Sequence, residues 1–319
     1  MPCGILSKNN GFGGTALLEQ RTDLALESHE IRAEKGVDDG IIITESAANG
    51  IKKTVAEVKE GEGEKRSGKK AGRYITLDIG DINLLAGAEL ERTAQEIART
   101  LRSMLPAGEG TVLVVGLGNE GITPDSIGPK AIKKLIVTRH IKKSDPRLFD
   151  SAGFGSVAAT CPGVLGQTGL ESAETVECIC RRIRPKCVIL IDSLAARSIS
   201  RLAATIQISD CGISPGSGVS NRRKAICAET LGCNVISLGI PTVVDAATLA
   251  LDIAEKNLAE NEKDAMAAVR KALGERSEGI FVSPKDIDVI TDRAARLIAV
   301  SLNLALHGLS YADINACTD

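Results

Sequence analysis

The residues best placed for chemistry in this sequence are carboxylates that end apolar runs. Asp125 lies in "VLVVGLGNEGITPDSIG" (Val112 to Gly128), past an apolar stretch and a glycine loop, while Asp192 ends "CVILID" and Asp210 ends "TIQISD". Ligands in open α/β sheets bind beyond the carboxyl ends of strands, so all three acids stand where a site forms. Two carboxylates meeting in a partly dry cleft split their pKa values; one stays ionised as a base and the other keeps a proton as an acid. Each acid also has a plainer reading. Asp125 follows Thr123 and Pro124 into the first turn of a helix, where a negative charge suits the dipole. Asp192 would cap the segment after it, Asp210 precedes Cys-Gly and reads as a turn, and Asp245 reads as the partner of Thr242 in a capping box.

Gly116-x-Gly118-x-x-Gly121 has the spacing of a dinucleotide fingerprint, a pattern that means little without its surroundings. Here the third glycine leads into Ile-Thr-Pro-Asp, and Pro124 and Pro129 interrupt the helix the motif requires. The acid expected about 20 residues further on, to hold a ribose, is replaced by the basic run "LIVTRHIKK". No cofactor is expected, and the loop reads as a display for Asp125. Other chemistries are poorly supplied. His29, His140 and His307 are the three histidines; none lies in H-E-x-x-H, and G-x-S-x-G is absent. No metal is expected. "SPGSGVSNRRK" (Ser214 to Lys224) is glycine-rich and basic, either a surface loop or a seat for an anion or acidic peptide.

The elements that must position these acids follow from periodicity. Helical patterns cover 83–105, 129–139, a stretch opened by Thr168-x-x-Glu171 and running to Arg184, 242–258 and 285–307, alternating with strands at 111–116, 186–192, 204–210 and 234–241. That alternation predicts an α/β fold with a mainly parallel twisted sheet and helices on both faces. Ahead of it, 40–45 and 51–58 flank Asn49-Gly50 as a small β-hairpin, and Lys59 to Gly72, charged and rich in glycine, reads as a loop or linker. The chain divides into 24–72, hairpin and linker, and 73–319, the α/β domain; residues 1–20 have no pattern.

Composition sets the outer limits. The 319 residues are 43% apolar, with 32 glycines and 2% aromatics, so the core is built from Ala, Val, Ile and Leu. A net charge of -2 with so few rings argues against nucleic acid, which needs basic and stacking surfaces. The nine cysteines lack a disulfide framework and read as reduced, mostly core-filling thiols of a cytoplasmic protein. No secretory signal or membrane span is expected.

Several blocks together resemble the germination proteases, the spore endopeptidases of endospore-forming bacteria. They are "RTDLALE" (21–27), "GRYITL" (72–77), "VVGLGN" with "TPDSIGPKA" (114–131), "VTRH" (137–140), "PGVLGQTGLE" (162–171), "IDSLAARS" (191–198), "ATIQISDCGISPGSGVSNRRK" (204–224), "LGIPTVVDA" (238–246) and "LNLALH" (302–307). The resemblance implies an atypical aspartic protease that degrades small acid-soluble spore proteins in the germinating spore. Its acids, on "TPD" and "ID-x-LAARS", are Asp125 and Asp192 here; the Asp-Thr-Gly of pepsin-like enzymes is absent. It implies a fold similar to the hydrogenase maturation proteases, and a homotetrameric zymogen of the forespore that removes its own prosegment. "RTDLALE" resembles the family's substrate sites, so self-cleavage is expected between Asp23 and Leu24, with 1–23 as an unstructured prosegment and an extended segment at the cut. Arg222, Arg223 and Lys224 are expected to attract the acids that flank the scissile bond. The segment before the cut, and a shorter stretch between the 242–258 and final helices, depart from the family pattern. Two rival readings are a metal-dependent maturation-type protease and a noncatalytic phosphate- or nucleotide-binding protein.

Overall fold

A computed structural model describes residues 21–34, 40–214, 224–257 and 279–318. Among these residues the frame is one sheet of nine strands: β1 (Ile41–Ala48), β2 (Ile51–Val58), β3 (Gly72–Asp78), β4 (Val112–Gly116), β5 (Val157–Thr160), β6 (Cys187–Ala196), β7 (Thr205–Ser209), β8 (Asn234–Asp245) and β9 (Phe281–Val282). They lie in the order β1-β2-β3-β7-β8-β6-β4-β5, with β9 paired to the end of β8.

The apolar runs of β4 and β6 are buried on both faces, and their alternation sorts the helices. Val112 and Val114 of β4, Ile189 and Ile191 of β6, and Ile236 and Leu238 of β8 share one core with the helices Gly87–Met104, Ile127–Lys133 and Ile287–Leu306. Leu113, Val115, Val188, Leu190 and Val235 face the other way, onto the Ser172–Ile183 helix. Burying one such side chain fully contributes roughly 1.5–3 kcal/mol, and Ile97, Leu101, Ile189, Leu190 and Leu297 are all at 0% exposure. The expected central sheet with helices on both faces is therefore present.

The sheet is mixed rather than mainly parallel. Pairing is parallel across β5, β4, β6 and β8, and antiparallel from β8 outward through β7, β3, β2 and β1. Between β6 and β7 lies only a short connection with a 3-10 turn at Ile199–Arg201. A parallel crossover needs about a dozen residues or more, so the chain turns back instead. The hairpin forms as expected, with Asn49 and Gly50 at φ 56° and 81°, the left-handed pair a tight two-residue turn demands. Within the stretch read as a loop, Glu62–Ser67 is a short helix. Glu64 stabilises it by accepting from the backbone N–H groups of Gly61 and Ala71, at 3.3 and 3.0 Å.

His307 ends the Ile287–Leu306 helix and is almost wholly buried. Its Nδ1 accepts from Gly155 N at 3.2 Å, which leaves Nε2 as the donor to the Ile136 carbonyl at 3.0 Å. Burial pushes its pKa below the ordinary histidine value, against a smaller opposing effect of the Ile136 bond. Because the unfolded chain then takes up the proton first, stability is full above pH about 6.5 and falls as the pH drops toward the lower folded value. Chemical denaturation between pH 7.5 and 5 is expected to show this loss, with a flatter profile in His307→Gln; parallel profiles would disprove it.

Candidate functional site

The parallel register of β4 and β6 sets Gly116, the last residue of β4, opposite Ile191, so β4 ends beside Asp192. β6 itself runs on to Ala196 along β8, past the strand end at Asp192 expected from the sequence. Leu117 N donates to the Ile191 carbonyl at 2.8 Å and closes this end of the pair. The chain then turns through Gly118 into a 3-10 turn at Thr123–Asp125. Gly118 has φ 105°, and a Cβ there would lie 2.1 Å from the Asp125 carbonyl oxygen; a Cβ on Gly128 would lie 2.2 Å from that of Leu117. The glycines thus let the loop and the turn meet backbone to backbone. Asn119 N donates to Asp125 Oδ2 at 2.8 Å, and Asn119 Oδ1 accepts from Gln167 Nε2 at 2.8 Å. The motif that has the spacing of a phosphate cradle is in fact the seat of Asp125.

Asp192 is 9% exposed near the middle of β6, and its Oδ1 accepts from Ser193 N at 2.9 Å. It pairs with Gly239 of β8, which pairs with Gln207 of β7. Neighbouring Ile191, Leu238, Ile206 and Ile208 belong to the core on the opposite face. Asp192, Gly239 and Gln207 therefore form one row on the face turned away from the Gly87–Met104 and Ile287–Leu306 helices. Ser209 and Ser237, whose hydroxyls are 3.1 Å apart, share that face. Asp125 and Asp192 line one cleft of about 880 Å³, together with Lys69, Tyr74, Leu194 and Gln207.

The other acids serve structure. Asp210 accepts from Arg73 N at 2.7 Å and from Arg73 Nε at 3.1 Å, across the edge of β3 and β7. Asp245 is not the partner of Thr242: its Oδ1 caps the Ala246–Asn257 helix by accepting from Thr248 N and Oγ1, each at 2.9 Å. Among the described residues no group of three or more His, Cys, Asp or Glu side chains is arranged to hold a metal ion. The described helices include none long and apolar enough to cross a membrane. Lys224 is exposed, with Nζ 2.9 Å from Glu177 Oε2, is not among the residues that line the cleft, and holds the Glu177 carboxyl below its usual range; Arg222 and Arg223 lie outside the described residues.

Residues 21–27 are built into the same cleft. Asp23 N donates to the Ala195 carbonyl at 2.9 Å, and Ala195 N donates to Asp23 Oδ2 at 2.9 Å. Leu24 is fully buried among Leu194, Ala196 and Val244. Glu27, also fully buried, accepts from the N–H groups of Arg197 and Ser198 at 2.6 and 3.1 Å and pairs with Arg201 at 3.4 Å. The segment expected to be extended becomes a helix at once, Ala25–Glu34. The Thr22 hydroxyl accepts from Leu24 N at 3.0 Å, a side-chain turn just ahead of the helix, and donates to Glu27 in its first turn. Two cleft residues escaped the sequence reading. Lys69 is hidden in a charged run where every lysine looks solvated, whereas Gln207 left a signal, an amide inside the apolar run "ATIQISD".

Over residues 18–255 the chain matches the model of a family described as germination protease. The germination protease of Clostridium acetobutylicum is 41% identical over 320 residues, covering 92% of this chain and 98% of its own. That of Clostridium tetani is 40% identical over 320 residues, covering 93% and 98%. Among solved structures, the NiFe hydrogenase maturation protease HycI from Thermococcus kodakarensis KOD1 covers 64% of this chain and 98% of its own at 16% identity, with a TM-score of 0.34, a likeness too slight to carry an argument.

Gly118→Ala tests the glycine seat. Strain at a positive φ and the clash with Asp125 are expected to destabilise the protein by about 1–3 kcal/mol in urea denaturation. Unchanged stability would show that the loop does not rest on the turn as described.

Proposed function

The chain belongs to the germination protease family, and on that premise we propose that it is an aspartic-type endopeptidase of the forespore that opens the degradation of small acid-soluble spore proteins. It is made as a homotetrameric zymogen and cuts itself between Asp23 and Leu24. The observation that carries this reading is that Asp125, Asp192 and Asp23 line one cleft, where β4 ends beside the middle of β6. Two carboxylates around one water share a proton and titrate as a pair. Asp125, more open to solvent and accepting a backbone N–H, takes the base role and draws a proton from the water. Asp192, more deeply buried, holds the shared proton and delivers it to the departing amine.

The self-cleavage site also suggests what a substrate would present. An acid before the bond, an apolar residue after it and a second acid downstream correspond to Asp23, Leu24 and Glu27. In this chain they meet Ala195 N, the Leu194–Val244 cluster and the N–H groups of Arg197 and Ser198. Arg222, Arg223 and Lys224 would draw acidic segments toward the cleft; since Lys224 is engaged with Glu177, most of that attraction falls to the two arginines.

Asp125→Asn and Asp192→Asn are each expected to slow self-processing by about 10²–10⁴-fold, followed as loss of residues 1–23 by intact mass. Normal processing in both variants removes the pair from the mechanism. Replacing Arg222 and Arg223 together by Ala should raise KM for acidic peptides; an unchanged KM would rule out their role.

A further inference from the structure

The carbonyl oxygen of Asp23 accepts two side-chain hydrogen bonds, from Lys69 Nζ at 3.0 Å and from Gln207 Nε2 at 3.2 Å. If the chain is cut between Asp23 and Leu24, this oxygen belongs to the bond that breaks. We propose that Lys69 and Gln207 are catalytic residues of self-processing, a donor pair that polarises the Asp23 carbonyl and stabilises the negative charge that develops on its oxygen. The assignment rests on the cleavage position given above.

Three features support it. Gln207 is oriented from both ends of its amide: its Oε1 accepts from Ala25 N at 2.8 Å, which turns the NH₂ group toward Asp23. It also stands in the row with Gly239 and Asp192, so the sheet fixes its place relative to an acid of the pair. Lys69, from the loop before β3, gives its second bond to the Thr22 carbonyl at 3.1 Å. Both of these bonds go to backbone oxygens of the segment to be cut. A donor aimed at a carbonyl inside a cleft acts more strongly than one in water, and it needs no rearrangement as charge develops. Burial pushes the Lys69 pKa down, while Asp23 and Glu27 act in the opposite sense and favour its charged form. Finally, the bond has little freedom, because Ala195 pairs with Asp23 on one side and Leu24 is packed on the other. Fixing a reacting group in this way lowers the entropic part of the barrier.

The step balances without any further reagent. Water oxygen bonds to the Asp23 carbonyl carbon while its proton passes to the ionised carboxylate. The carbonyl π electrons move onto the oxygen facing Lys69 and Gln207. Collapse restores the C=O and breaks the C–N bond as the leaving nitrogen takes the proton of the second carboxyl. The products are a carboxyl on Asp23 and an amine on Leu24.

The test uses the full chain with Lys69→Met and Gln207→Glu, the latter keeping the acceptor for Ala25 N while removing the donor. Intact mass gives the rate and position of the cut, and thermal melting reports the fold. Each variant is expected to cut about 10²-fold more slowly than the unaltered chain while melting as a folded protein, with Lys69→Arg recovering part of the rate. Wild-type rates at Asp23–Leu24 in both variants would overturn the donor pair and leave the cleavage position standing. So would a slowed rate that merely tracks loss of the fold in Gln207→Glu. A cut at another bond in the unaltered chain would overturn the cleavage position, and the donor pair with it.

Discussion

The parallel pairing of β4 with β6 is the constraint on which the cleft depends. Gly116 opposite Ile191 makes β4 finish beside Asp192, and the Leu117 bond to Ile191 holds it there. The end of β4 runs into the turn that carries Asp125; β6 carries Asp192 midway along a strand buried over almost its full length. A slip of one residue in this register would exchange the faces of β6, sending Asp192 into the apolar core of the large helices. Val112, Val114, Ile189 and Ile191 on that side make such a slip prohibitive. Two acids far apart in the chain are thus brought to one cleft by the packing of aliphatic side chains.

Much of this is legible in the sequence because it is local. Apolar runs mark β4, β6 and β7, with an acid in or just after the last two and a glycine loop after the first, and Asn49-Gly50 marks a hairpin, since turn chemistry is written in adjacent residues. Asp125 and Asp192 stand out on the same ground. The direction in which a strand pairs is not written in its own pattern, which is why the antiparallel wing from β7 to β1 does not follow from the sequence. The helix at Ala25–Glu34 is hidden for a similar reason. Its first turn is held by Thr22, Arg197 and Ser198 acting on Glu27, and two of these lie about 170 positions away. Asp245 shows the opposite case, in which a capping pattern is real but its reading runs forward to Thr248 instead of back to Thr242.

The cleft also shows how one face of an otherwise aliphatic sheet is made polar. Asp192, Gln207, Ser209 and Ser237 alternate with residues of the main core, so each strand packs on one side and lines the cleft on the other. Gly239 between Asp192 and Gln207 has no room for a side chain, since a Cβ there would lie 2.6 Å from Leu194 Cγ. Leu194 covers that glycine and in turn packs against Leu24. The polar row and the apolar seat for Leu24 are therefore parts of one arrangement.

Residues 22–27 are fastened on both sides of the Asp23–Leu24 bond, to Ala195 and Lys69 before it and to Gln207, Leu194 and the Arg197–Ser198 backbone after it. A chain secured in this way does not spring apart when one link is severed. The two new ends would stay lodged where they were, able to rejoin or linger, until the upstream piece detached. On the proposed cut, scission and departure would be separate events, the second timed by how tightly β6 grips a fragment already freed.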